Sequence, residues 1–131
     1  MTDAERARFD ALLDETIDSL PPALRDLLDE VPVIVDDRPS PALLRSLGVP
    51  HGASLCGLHT GVAMTERSVE QSGIPTDVIQ LFREGIVHTA GGWRQRHAND
   101  AVHDEIEITL LHEIGHHFGL DEDDLAALGY G

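Results

Sequence analysis

Val102, Ile106, Leu110 and Ile114 recur at intervals of four. Residues at that spacing share one broad face of an α-helix, and such a face must be buried against the rest of the fold. The pattern predicts a long helix, capped at its start by Asn99 and stopped by Gly119, a residue that adopts positive φ easily and lets the chain fold back.

On that helix stands the pentapeptide His112-Glu113-Ile114-Gly115-His116. Four residues turn through roughly 400° in an α-helix, so the imidazoles of His112 and His116 point the same way. Two imidazoles one turn apart can each reach one metal ion at about 2.0–2.1 Å. Glu113, one position on, stays off the metal but close to a water bound to it, where it can act as a base. The fold-back at Gly119 then brings an acid toward the metal. Counting three residues on from that glycine gives Glu122 as the third ligand, with Asp121 and Asp123 as alternatives that a small change in the turn would favour. The same run, DEDDLAALG, also reads as acids at the start of a short last helix closed by Gly129, and the two readings are compatible. Glu105 and Thr109 share the helical stripe of the two histidines and are candidates for orienting an imidazole. His117 points about 100° away from His116 and is either a substrate contact or a packed structural residue. His88, His97 and His103 have no ligand-like spacing and are expected to be structural or on the surface.

The composition narrows the options. A chain of 131 residues with 41% hydrophobic content is expected to form one domain over residues 1–131 with a single core. The formal charge of −15 disfavours a nucleic-acid partner. No apolar run approaches the roughly 18 residues that a membrane span requires. The start, MTDAERARFD, lacks the apolar core of a signal peptide, which gives the expectation of a cytoplasmic protein. Cys56 stands alone, so neither an internal disulfide nor a cysteine-rich zinc site is available, and a small buried hydrophobe is expected there.

Upstream, Thr2 and Glu5 are spaced as a capping box for a helix carrying Phe9, Leu12, Leu13, Ile17 and Leu20, stopped by Pro21 and Pro22. Leu24, Leu27 and Leu28 suggest a short second helix. Val31 to Asp37 reads as a strand, and Ser40, Pro41 and Gly48 bracket another short helix. Leu55 to Met64 is expected to be a strand, bent at its glycines, and Asp77 to Arg83 another. Thr89 to His97 reads as a glycine-rich loop in which Trp93 serves as an anchor. The order predicts an α/β (α+β) fold with a small sheet.

At HEIGHHFGLDE the chain resembles the zincin metallopeptidases, in the branch whose motif reads H-E-x-x-H-x-x-G-x-x-(H/D), and most of all the small single-domain bacterial zincin-like proteins. GLHTGVAMTERS, DVIQLFR and the position of the helix after them also suit that family. The resemblance implies a zincin-like core: a small mixed sheet packed against an N-terminal helix and a long C-terminal helix that carries the active site. It implies zinc ligands at His112 and His116, a general base at Glu113 and the turn at Gly119. Glu122 stands where the family usually has Asp or His, one methylene shorter in the first case. The methionine turn and the tyrosine of larger relatives have no counterpart after Asp124, unless Tyr130 serves.

The expected function is that of a hydrolase, a zinc-dependent metallopeptidase binding one Zn2+ per chain and cleaving a peptide or protein substrate through a metal-bound water activated by Glu113. Either DVIQLFR or the Leu58–Met64 region is expected to offer a sheet edge to extended substrate. Three other readings compete. One is a metal-dependent endoribonuclease of the kind that matures ribosomal RNA, whose H-x-x-x-H motif needs no Glu113 and whose substrate the acidic surface disfavours. Another is a non-catalytic zinc-binding protein whose metal closes the C-terminal turn. The last is a metal-free helix.

Overall fold

A computed structural model describes residues 1–48, 55–60 and 78–129. Helix α1 spans Asp3–Ser19 and begins at the expected capping box, with Thr2 and Glu5 exchanging side-chain to backbone hydrogen bonds. Helix α2 follows at Pro22–Leu28, strand β1 at Val33–Asp36 and helix α3 at Pro41–Leu47. Ser40 caps α3 and Gly48 closes it in the left-handed region. Strand β2 is Gly57–Thr60 and β3 is Val78–Phe82; the remainder of the expected strand from Leu55 to Met64, past Thr60, lies outside the described residues.

The three strands form one mixed sheet in the order β1-β3-β2. β1 runs parallel to β3, with Val33 opposite Ile79, and β2 runs antiparallel to it, with Gly57 opposite Leu81. On β3 the side chains of Ile79, Leu81 and Phe82 are buried in the core, as a central strand requires.

Helix α4, Arg83–Ala90, was not expected from the sequence, which placed the end of a strand and the start of a loop there. It continues β3 without a linker and has no side-chain cap. Ile86 and Val87 are β-branched and read locally as strand, but burying them against the core overrides that preference. A Cβ on Gly85 would overlap the Leu55 carbonyl, so α4 seats directly on the start of β2. The loop shortens to the residues after Ala90. Within it Trp93 is the anchor it was expected to be, half-buried against the core with the Arg8 guanidinium 4.3 Å above its ring.

Helix α5, Ala98–Phe118, is the long motif helix, and it contacts α1, α4, β2 and β3. Its cap differs from expectation. His97, at φ 61°, occupies the position before the helix, and Asn99 lies inside it, accepting a hydrogen bond from Arg8 Nε at 2.6 Å. The Asn99 side chain thus ties α5 to α1 instead of closing a helix end. Val102, Ile106, Leu110 and Ile114 are all fully buried. The chain turns at Gly119, φ 67°, into α6, Glu122–Ala127.

An ionic cluster fastens the N-terminal helix to the sheet. Asp37 accepts hydrogen bonds from Arg6 Nε and from Arg83, and Arg83 also donates to Asp10. The Arg6 hydrogen bonds, with the charges of Arg6 and Arg83, hold the Asp37 carboxyl below the usual carboxylate range despite its partial burial. A lowered folded-state pKa gives stability that is present above the unfolded value of about 3.9 and lost as pH falls through the folded one. Asp37→Asn should therefore cost about 1 kcal/mol near neutral pH, a few degrees in Tm, and progressively less in acid. Melting curves of both proteins from neutral pH down to about pH 2 check this; a difference that does not shrink would contradict it.

Candidate active site

Helix geometry decides which motif residues face the solvent. Glu113 lies seven residues after Ile106, two turns on, so the two side chains leave the axis within about 20° of one another. The rotation that buries Ile106 therefore buries Glu113, which is 5% exposed. His116 and His112 lie about 60° and 100° further round and are exposed at the edge of the apolar stripe.

The two imidazoles meet edge to face, with ring centroids 4.1 Å apart. One ligand atom from each of His112, Glu113 and His116 lies within 4.8 Å of the others, the one such cluster of metal-ligating side chains among the described residues. Glu113 Oε1 is 4.0 Å from His116 Nδ1. Its Oε2 is buried with no hydrogen-bond partner. Burial pushes the Glu113 carboxyl up, partly opposed by the neighbouring His116 and His112. Imidazole nitrogens beside a carboxylate are a donor set that suits zinc, and an unpartnered buried carboxylate oxygen invites a cation or a bound water as its missing partner. The residues fit the metal that the motif implies.

A cleft of about 430 Å³ opens over these side chains. Its far wall is Leu55 and Cys56, which lead into β2, and Gly57, the first residue of that strand. The strand can approach α5 because position 57 has no side chain: a Cβ there would stand 2.8 Å from Thr109 Cγ2 and 3.3 Å from Glu113 Cγ. Sequence reasoning missed Gly57, since nothing local marks a glycine that faces a helix fifty residues on. Thr109 is buried and lines the cleft. Cys56 is half-buried against the core, its Sγ 3.3 Å from Thr89 Oγ1.

The remaining candidates lie further out. Glu105 is half-buried two turns before His112, and the His117 ring packs on Phe118 with centroids 4.4 Å apart. His88 and His97 are exposed, and His103 stands 3.7 Å from Asp104. Asp121 caps α6, its carboxylate accepting from the Asp124 amide at 2.8 Å while Asp124 reciprocates. Glu122 and Asp123 are exposed in the first turn of α6, and none of the three acids joins the cluster of His112, Glu113 and His116. Tyr130 lies outside the described residues.

Gly57→Ala should destabilise the protein by about 1–3 kcal/mol through overpacking against Thr109 and Glu113. Thermal or urea unfolding measures the loss, and a variant as stable as the parent would contradict the close approach of β2 to α5.

No helix among the described residues is long and apolar enough to cross a membrane. A search of curated proteins finds no match to this chain. A family comparison does: residues 28–131, which include β1 to β3 and the whole motif helix, match the zincin-like metallopeptidase model. The chain belongs to the zincin-like metallopeptidase family.

Proposed function

We propose that the protein is a zinc-dependent peptidase in which His112 and His116 hold the metal and Glu113 is the general base. The observation that carries this reading is the Glu113 carboxylate, buried with Oε2 unpartnered beside two exposed imidazoles one turn apart. Zinc bound there supplies a Lewis acid that polarises the scissile carbonyl and acidifies a water. Glu113 takes the proton of the attacking water on its carboxylate and passes it to the leaving amine. Its burial suits the first transfer, because a carboxylate whose pKa is raised above the usual range is a better proton acceptor. The α5 apolar stripe holds the base still during both transfers.

The third ligand we assign to Glu122. The Asp121 carboxylate is committed to capping α6, whereas Glu122 is exposed immediately after the turn at Gly119 and is long enough to reach back. Extended substrate would add to the sheet at β2. Strand β3, one of the two expected candidates, is central and paired on both sides, which leaves β2 at the edge beside the motif helix among the described residues. The net charge of −15 and the presence of Glu113 favour a peptide over an RNA substrate.

Zinc-loaded wild type and Glu113→Gln, assayed on a mixed peptide library by mass spectrometry, test the proposal. Glu113→Gln should retain zinc and lose turnover by a factor of at least about 100, the usual contribution of a general base. Equal cleavage by the two proteins would sink the assignment. In the same series Glu122→Ala should weaken zinc binding by more than the roughly 10–100-fold that loss of an outer hydrogen-bond partner costs, while Asp123→Ala leaves it unchanged.

A further inference from the structure

We infer that Ile108, facing Leu55 and Cys56 across the cleft, forms a subsite that selects substrates with a bulky aliphatic side chain beside the scissile bond. The inference rests on the peptidase reading and adds a substrate class to it. Ile108 precedes His112 by four residues, so Ile108, His112 and His116 form one stripe along α5. Among the described residues, Ile34 and Ile108 are the two large hydrophobic side chains left exposed, and Ile108 is the more exposed at 56%. It is the one that lines the cleft.

The wall opposite supplies apolar surface as well. Leu55 and Cys56 are half-buried there, held in place by the Phe82 amide, which donates to the Cys56 carbonyl at 2.8 Å. Among the described residues no arginine lines the cleft. An acidic side chain seated between Ile108 and Leu55 would lose water, gain no guanidinium partner among the described residues, and meet the field of a chain carrying −15, while His112 and His116 are taken up by the metal in this reading. An aliphatic one would cover Ile108 and Leu55 and remove their surface from water. Such contacts discriminate by about tenfold or more.

The test uses zinc-loaded Glu113→Gln, so that binding is read without cleavage, and two acetylated, amidated alanine peptides that differ only in a central leucine or aspartate. Calorimetric titration should show the leucine peptide binding about tenfold more tightly. Adding Ile108→Asp should abolish most of that preference, and because the side chain is exposed the melting temperature should stay the same. Ile108→Ala should give an intermediate preference. Equal affinities, a leucine preference that survives Ile108→Asp, or no saturable binding of the leucine peptide would overturn the inference. Cleavage of the leucine peptide by wild type is followed in parallel. Discrimination in binding without cleavage would support the subsite and remove the peptidase reading.

Discussion

The burial of one stripe of α5 is the constraint on which the rest of the structure depends. Val102, Ile106, Leu110 and Ile114 are each fully buried, and burying a side chain of this size contributes about 1.5–3 kcal/mol. Together they fix the rotation of the helix about its axis. With that rotation fixed, Glu113 stays buried beside the apolar stripe and meets only the cleft that it lines. The cost of burying a carboxylate with Oε2 unpartnered is thus offset by apolar packing, and a chemically useful group is held where it would not stay alone.

The second wall of the site depends on glycine at two close approaches. Gly85 lets α4 sit against the Leu55 carbonyl, and Gly57 lets β2 sit against Thr109 and Glu113. Between them, the Phe82 amide donates to the Cys56 carbonyl, and Gly57 lies opposite Leu81 on the central strand. The cleft is therefore bounded by two elements that are both locked to the core, the motif helix and the start of β2. Reacting groups held on such elements need little reorganisation when substrate arrives.

Much of this was legible in the sequence. The capping box at Thr2 and Glu5, the Ser40–Gly48 bracket and the four-residue apolar spacing of α5 are local chemistry, and each gave its element within a few residues. The His112, Glu113 and His116 cluster followed from helix periodicity alone. What escaped was decided by distant contacts. Helix α4 has no cap and β-branched residues, and only packing makes it a helix. Asn99 looked like a cap but serves Arg8, which lies at the other end of the chain. The Arg6–Asp37–Arg83–Asp10 cluster joins residues 31 to 73 positions apart, which no periodicity can reveal. Asp121 shows the limit in the other direction: spacing made it both a ligand candidate and a helix cap, and the geometry displays the cap.

The most direct measurement is the zinc content of the purified protein by elemental analysis, beside a His116→Ala variant. The account predicts about one zinc per chain in the parent, with most of it lost in the variant because a site of three protein ligands does not survive removal of one imidazole. A parent that neither carries zinc nor takes it up at neutral pH would contradict the account. So would a variant that retains a full equivalent.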